Sequence, residues 1–406
     1  MNIQFKKSAI TIAILLGLGL PISQAQTATV DNTLVQQHDA NTWLEIDAAG
    51  FENNLQILRK DVLNHDTAIC AVMKSDAYGH GVSLLIHSVM KLGIDRICVA
   101  NNSEARSARL QGYQGKIIRI RIASMKEIEE GLALDIEEMS GSLTQIKALS
   151  QLGNKHQRDI RIHFNLNSAG MSRNGLEIDT DIGKKDALEI LKLPHINITG
   201  IMTHFPDEET DAIKKGLAQF KLDADWIMRQ GKLDRKNITL HCANTFATTR
   251  VPETHLDMVR VGSMLYGMNA SHLKKVKPVM SMKTTVGSVH NYKKGDTVVY
   301  DRTFTLQRDS QLANLPLGYS DGYNRSFSNR AQVLINGKRF PIVGKITMNT
   351  VMVDVTGSNI KPGDEVVLLG EQGQESISMN ELMASSYTFY GEFFMNVGYA
   401  NPRFLK

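Results

Sequence analysis

A lysine closes the apolar run Ala68-Ile69-Cys70-Ala71-Val72-Met73-Lys74, and Ser75-Asp76-Ala77-Tyr78-Gly79-His80-Gly81 follows at once. An apolar run that ends in a polar, glycine-containing turn reads as a buried strand reaching a functional mouth. Partial loss of water there lowers the pKa of an ammonium group, and the neutral amine is a nucleophile. Further residues with chemical capacity stand behind later apolar runs: His163 to Arg173, Thr203-His204-Phe205, His241-Cys242-Ala243-Asn244-Thr245 and Arg260-Val261-Gly262-Ser263. His80, between two glycines, reads as structural.

These residues need a frame that delivers them to one place. Candidate strands are Ala68–Met73, Ile94–Val99, Ile117–Arg121, Leu134–Ile136, Arg161–Leu166, Ile198–Met202, Ile238–His241 and Met258–Val261, with helical spacing between them. Eight short strands alternating with helices predict an α/β fold, a (β/α)8 TIM barrel over residues 43–274. In such a barrel catalytic groups sit at the C-terminal strand ends, and phosphate binds after strands seven and eight. The candidate residues fall at those ends. After Lys274 the texture changes to alternating Val and Thr runs, broken by Lys294-Gly295-Asp296, Asn336-Gly337-Lys338 and Pro362-Gly363-Asp364. These are turn signals between antiparallel strands. Residues 275–406 therefore read as a mostly β C-terminal domain, with residues 26–42 expected to add to it.

The N-terminus reads as a secretory leader over residues 1–25. Lys6 and Lys7 form a basic start, Ala9–Leu20 is apolar but short, and Ser23 and Ala25 are the small residues of a cleavage site after Ala25. A leader of this kind implies a periplasmic protein. No cysteine follows the apolar run, and no later stretch is apolar enough to cross a bilayer, so no membrane anchor is expected. The formal charge of +4 falls to +2 once Lys6 and Lys7 leave with the leader. That weak bias, with no basic stripe interleaved with aromatics, gives no reason to expect a nucleic-acid partner. Of the three cysteines, Cys70 and Cys98 lie in runs that would neighbour each other in a barrel; one disulfide and two buried thiols are both open. No Cys/His spacing suggests a metal.

The motifs resemble those of the alanine racemase family over nearly the whole mature chain. The string from Ala71 to Gly81 is similar to the family's lysine motif, which implies pyridoxal 5'-phosphate (PLP) as cofactor, held through the amine of Lys74. The resemblance further implies that His204 stacks on the cofactor ring. It places Asn244, Thr245, Gly262 and Ser263 about the phosphate together with Tyr78 and Tyr390, and sets Arg260 against the pyridine nitrogen. An arginine only donates hydrogen bonds, so that nitrogen would stay unprotonated. Racemisation needs a proton carrier on each face of Cα. Lys74 can serve one face. Tyr300, in Gly295-Asp296-Thr297-Val298-Val299-Tyr300-Asp301, resembles the family's second base, which comes from the other subunit of a homodimer. A tyrosine has a pKa of about 10, so the site must lower it. Tyr319 and Met348 resemble the residues of the substrate channel and the carboxylate contact.

Departures from the family pattern cluster near the substrate. The family's lysine before the D-T-G-M stretch is Asn165 here, within a segment one residue longer that runs to Gly175. Arg173 must then be held by something else, with Asn167 and Asn174 as candidates. Arg119 and Arg121 end the third barrel strand; substrate contact by Arg121 and ordinary barrel salt bridges are both open readings. The mouth becomes more positive, which implies a range of free amino acids wider than alanine. The combination looks like the periplasmic broad-specificity racemases. A dedicated alanine racemase is the nearest alternative, disfavoured by the leader. A related PLP decarboxylase would need a carboxylate where Arg260 stands.

Overall fold

The computed structural model describes residues 40–63, 66–270 and 272–406. The expected leader, its cleavage point and residues 26–39 lie outside the described residues. Strand β1 (Thr42–Ile46) opens the described chain, and eight barrel strands follow: β2 (Ala68–Val72), β3 (Arg96–Val99), β4 (Lys116–Arg119), β5 (Ile136–Ser140), β6 (Ile160–Asn165), β7 (Ile196–Met202), β8 (Thr239–His241) and β9 (Met258–Val261). They pair in parallel in the order β8-β7-β6-β5-β4-β3-β2-β9. Two backbone hydrogen bonds, Asp257 N–H to Leu240 O at 3.2 Å and Arg260 N–H to Ala243 O at 3.0 Å, tie β8 to β9 and close the ring.

The strands form where apolar residues run without interruption, because both faces of a barrel strand are covered. β9 is buried at all four positions and β2 at four of five. One expectation was displaced. Leu134 belongs to a short 3-10 turn, Leu132–Leu134, and the fourth barrel strand is Ile136–Ser140. Its two consecutive carboxylates, Glu137 and Glu138, hide its buried character, yet they are only 3% and 4% exposed. The helices between strands are capped in the ordinary way. For example, Ser142 accepts from Gln145 N–H at the start of Leu143–Lys155.

The β-rich part holds β10 (Met280–Thr285), β11 (Ser288–Tyr292), β12 (Ser310–Leu315), β13 (Gln332–Ile335), β14 (Lys338–Pro341), β15 (Val351–Asp354), β16 (Glu365–Gln372), β17 (Glu375–Ile377) and β18 (Arg403–Leu405). One sheet runs β14-β13-β16-β10-β1-β18 with β17 on β16; a second runs β11-β12-β15. Asn336 and Gly337 both adopt positive φ, 51° and 71°, the hairpin geometry that an Asn-Gly pair predicts between β13 and β14. The strand contributed from before the barrel is Thr42–Ile46, antiparallel to β10 and parallel to β18. Apart from Ala40–Thr42, the expected segment 26–42 is outside the described residues.

Cys70 and Cys98 are joined in a disulfide between β2 and β3, with Cα atoms 5.8 Å apart, which resolves the two open readings. Cys242 is free and buried. Among the described residues no helix is long and apolar enough to cross a membrane.

Candidate active site

Lys74 begins the turn that leaves β2 at the mouth of the barrel. The next four residues, Ser75 to Tyr78, all have φ between 52° and 55°. They make a left-handed turn, which costs roughly 1–2 kcal/mol per non-glycine residue. The turn persists because its polar groups are held from several elements. Glu104, on the helix Asn102–Leu110, accepts from Ser75 N–H at 2.7 Å and from Ala100 N–H at 2.6 Å. Asp76 accepts from Val82 N–H at 2.8 Å and from Arg403 of β18 at 2.6 Å. His80 is fully buried, and its Nδ1–H lies 2.9 Å from Tyr78 O and 3.1 Å from Ala77 O. Burial takes its pKa down to about 4, so it stays neutral and structural, as expected. Gly79 has φ 79°, and a side chain there would collide with the backbone of Phe394 in the helix Tyr390–Ala400.

The Lys74 amine stands 5.9 Å from the centre of the Tyr78 ring. Its surface remains reachable at the mouth although protein packs round it on most sides. This crowding lowers its pKa; Arg173 and Arg260 add to the effect and Glu104 opposes it.

Arg260 in β9 is buried, and both of its Nη atoms are engaged. Its Nη1 lies 2.6 Å from His241 Nδ1; its Nη2 lies 3.1 Å from His204 Nδ1 and donates to Thr203 O at 3.0 Å. Burial lowers the guanidinium pKa to about 10, which leaves it charged at neutral pH. His204 falls to about 3, through burial and then Arg260, Arg173 and Lys74. A guanidinium cannot accept, so both histidines accept at Nδ1 and each carries its single hydrogen on Nε2.

Beside these groups is a cradle of hydroxyls. A Cβ at Gly262 would lie 2.4 Å from the Tyr78 hydroxyl. The tyrosine tip therefore lies on the backbone at Gly262, next to Ser263, because no side chain is there. The Thr245 hydroxyl is buried without a partner. Tyr390 is half-buried, and its phenol is close enough to Tyr78 to raise the Tyr78 pKa, a rise led by burial. Asn244 does not share this role through its side chain, which caps the helix Thr245–Arg250 by accepting from Ala247 N–H at 2.9 Å.

The mouth differs from expectation in its cations. Arg119 is completely buried, forked onto Glu138 at 2.8 and 3.1 Å and bonded to Glu127 and Asn102. Arg121 is spent on both oxygens of Glu127 and on the carbonyls of Ala100 and Ile122. Its assignment to substrate is thus replaced by a barrel salt bridge, as three of its nitrogens already have acceptors. Neither Asn167 nor Asn174 holds Arg173. Asn167 braces its own loop, accepting from Ser172 N–H at 2.7 Å and donating to Glu177 at 2.9 Å. The Asn174 amide faces the Met139 sulfur at 3.9 Å. Arg173 is exposed and has no ion-pair partner among the described residues, yet its charge bears on Lys74, His204 and Arg260.

Tyr300, Tyr319 and Met348 stand on the surface of the β-rich part. They are 70%, 44% and 55% exposed. The Tyr319 and Met348 segments are stitched together: Tyr319 N–H donates to Thr347 O at 3.0 Å, and Ser320 donates to Met348 O. Among the described residues the Tyr300 hydroxyl has no partner. Its neighbours Val299, Asp301 and Arg302 all have positive φ, an uncommon state that for a β-branched valine is a true outlier.

Residues 46–270 match the model of the alanine racemase N-terminal domain, and residues 279–405 match that of its C-terminal domain. The chain belongs to the alanine racemase family. It is 50% identical to a broad specificity amino-acid racemase of Aeromonas hydrophila subsp. hydrophila over 371 residues, 91% of either chain. It is 46% identical to the broad specificity amino-acid racemase of Pseudomonas taetrolens, over 92% of this chain and 91% of that one. A solved alanine racemase of Bartonella henselae with covalently bound pyridoxal phosphate superposes with a TM-score of 0.77 at 26% identity, covering 90% of this chain and all of the other.

The residues present suit that cofactor. A phosphate is an acceptor, and the cradle offers the Tyr78 and Tyr390 phenols, the orphaned Thr245 hydroxyl and backbone bared by Gly262. Arg260 offers a donor to a ring nitrogen, and Lys74 an amine of lowered pKa to a carbonyl. Two supports of the Lys74 turn escaped the sequence reading. Glu104 carried a signal in Asn101-x-x-Glu104, a helix-start pattern in which Asn101 accepts from Glu104 N–H. Arg403 carried none.

Proposed function

We propose that this chain is a racemase of broad range that acts on free amino acids in the periplasm, through Lys74 on one face and a second copy's Tyr300 on the other. Family membership makes it a PLP-dependent amino-acid racemase, an isomerase. When bound, PLP supplies a conjugated electron-withdrawing ring that acidifies the hydrogen on the Cα of an attached amino acid.

The observation that carries the reading is the triad Lys74, Arg260 and His204. Lys74 has a lowered pKa and can hold its amine neutral to take a proton from Cα, or charged to return one. Arg260 can only donate and cannot protonate the ring nitrogen or accept from it. His204 cannot serve as a base, because its Nδ1 is occupied by Arg260 and its pKa lies at about 3. Its Nε2–H is a donor alone. Set against a tyrosine, it favours the phenolate, and the positive charges of Arg260 and Arg173 favour it further. A tyrosine acting as a base needs such a donor, and among the described residues none meets the exposed Tyr300 hydroxyl on its own chain. The exposure of Tyr300, Tyr319 and Met348 supports a homodimer whose sites are completed by the partner. Arg173, a cation of the mouth with no ion-pair partner among the described residues, binds the substrate carboxylate.

Breadth is supported by the names of the two relatives and by the loss of the family lysine at Asn165. The leader of residues 1–25 supports the periplasm. The decisive experiment is a panel of L-alanine, L-lysine, L-arginine and L-methionine followed by loss of optical rotation. Turnover of several is expected; turnover of alanine alone would leave the dedicated alanine racemase. Recovery of a mature chain beginning at Gln26 from a periplasmic extract tests the location.

A further inference from the structure

Arg260 and three side chains behind it, one from each of four strands, form one line through the barrel. His241 Nδ1 lies 2.6 Å from Arg260 Nη1, His163 Nδ1 lies 2.7 Å from His241 Nε2, and Glu137 Oε2 lies 2.8 Å from His163 Nε2. None of the four is more than 5% exposed. The hydrogens along this line have one arrangement. Arg260 donates to His241 Nδ1, so His241 carries its hydrogen on Nε2 and donates to His163 Nδ1. His163 then carries its own on Nε2 and donates to the carboxylate of Glu137.

A second observation shows that the contact is built. β7 lies between β6 and β8, so His163 and His241 must meet across an intervening strand. The β7 residue at the crossing is Gly200, where a Cβ would stand 2.2 Å from His163 Nδ1. Gly200 is not among the glycines with positive φ, so the backbone does not require glycine there; the space does. At the far end, Thr199 donates to the same Glu137 oxygen at 3.0 Å, and Arg161 Nε lies 3.5 Å from the other.

We propose that Glu137 is a positioning residue for Arg260: through His163 and His241 it supplies a buried counter-charge and one hydrogen direction behind the guanidinium. The inference rests on the reading of Arg260 as the partner of the cofactor ring. The two ends of the line cancel in charge, with neutral imidazoles between them. Without the carboxylate, Arg260 is a buried cation with only carbonyls and imidazoles around it, and each histidine can reverse. The electrostatics agree. Burial opposes ionisation of Glu137, but the His163 hydrogen bond and charges nearby take its pKa down to about 2. Burial lowers His163 and His241; Glu137 opposes the fall at His163, and Arg260 adds to it at both. Lys116 also faces Glu137 and His163, and Arg96 bears on His241, without altering these directions.

The test uses protein labelled with 15N-histidine, with and without PLP, and the variants Glu137→Gln and Gly200→Ala. In the wild type, His163 and His241 are expected to stay neutral with hydrogen on Nε2 between about pH 6 and 9. Glu137→Gln keeps the shape and removes the charge. It should shift both histidine signals, move the absorbance maximum of bound PLP and lower kcat about tenfold at nearly constant KM, the scale typical of losing an outer partner of an orienting histidine. Gly200→Ala should do the same by parting the histidines; if it fails to fold, Glu137→Gln decides alone. Glu138→Gln, one residue away on the opposite face, should lower Tm while leaving the histidine signals and kcat per bound cofactor unchanged. A wild-type histidine found protonated or with hydrogen on Nδ1 overturns the proposal. So does a Glu137→Gln enzyme with wild-type kcat and spectra, or one whose loss only follows the fraction unfolded. Failure of the wild type to bind PLP or racemise would instead sink the functional reading, and the histidine signals would still be read in the apoprotein.

Discussion

The lysine half of the site and the tyrosine half are built in opposite ways. Both use a stretch of left-handed non-glycine residues: Ser75 to Tyr78 after Lys74, and Val299, Asp301 and Arg302 around Tyr300. Around Lys74 the strain is offset by Glu104, Asp76, Arg403 and a buried His80. Around Tyr300 the supports are ion pairs of Asp301 with Lys345 and Arg325 and a backbone bond from Val298 N–H to Phe304 O, and Tyr300 itself stands 70% exposed. One half is held from several elements of its own chain; the other is an exposed tip, as the proposed homodimer requires.

The largest effects should come from removing one half at a time. Lys74→Ala is expected to lower racemisation at least about 10^3-fold, and Tyr300→Phe by about 10^2- to 10^4-fold. The two should differ in hydrogen exchange. Tyr300→Phe keeps Lys74 and should still exchange the Cα hydrogen of one enantiomer into deuterated water, whereas Lys74→Ala should not exchange it. Mixing the two variants sharpens the comparison. If sites combine one chain's lysine with its partner's tyrosine, each hybrid has one intact site of two, and the equilibrated mixture regains about one quarter of wild-type activity. No recovery would return both bases to one chain.

Next in size are the supports. Glu104→Ala strands the N–H groups of Ser75 and Ala100 and should cost about 3 kcal/mol in urea unfolding. Arg119→Ala leaves Glu138 buried and unpaired and should cost about 3–5 kcal/mol. Stability should also fall with acid. His80 and His204 have folded pKa values of about 4 and 3, below their unfolded values. Their contribution is complete above about pH 6.5 and is lost as pH falls towards those values; at pH 5 each already withholds about 2 kcal/mol. A Tm flat from pH 7 to 5 would contradict buried neutral histidines. The smallest effect belongs to Arg121→Ala, about 1 kcal/mol or less with KM unchanged, since Glu127 and two carbonyls occupy its half-exposed guanidinium.

The barrel was legible because its strands are short apolar runs that each end in polar residues. It blurred at β5, where Glu137 and Glu138 broke the run. Lys74, His204 and Arg260 could be picked out because each stands at such an end. Thr245 and Asn244 could not be separated, since adjacent polar residues at a helix start give no hint of which one caps. Arg119 and Arg121 were misleading for a related reason: an arginine near a strand end looks alike whether it awaits a ligand or already has its carboxylates.

The amino-acid order alone determined the alternation of strands and helices, the change of texture after the barrel, and the reactive lysine with its companions at the strand ends. Those are local properties, set by periodicity and by neighbours a few positions away. Only the tertiary structure decided what surrounds them: Glu104 and Arg403 clamping the Lys74 turn, Arg121 paired with Glu127, Tyr300 left exposed, and Gly200 opening the space through which His163 meets His241. Hydrogen-bond direction, burial and charge pairing depend on distances across strands tens to hundreds of residues apart, and those distances exist only once the ring has closed.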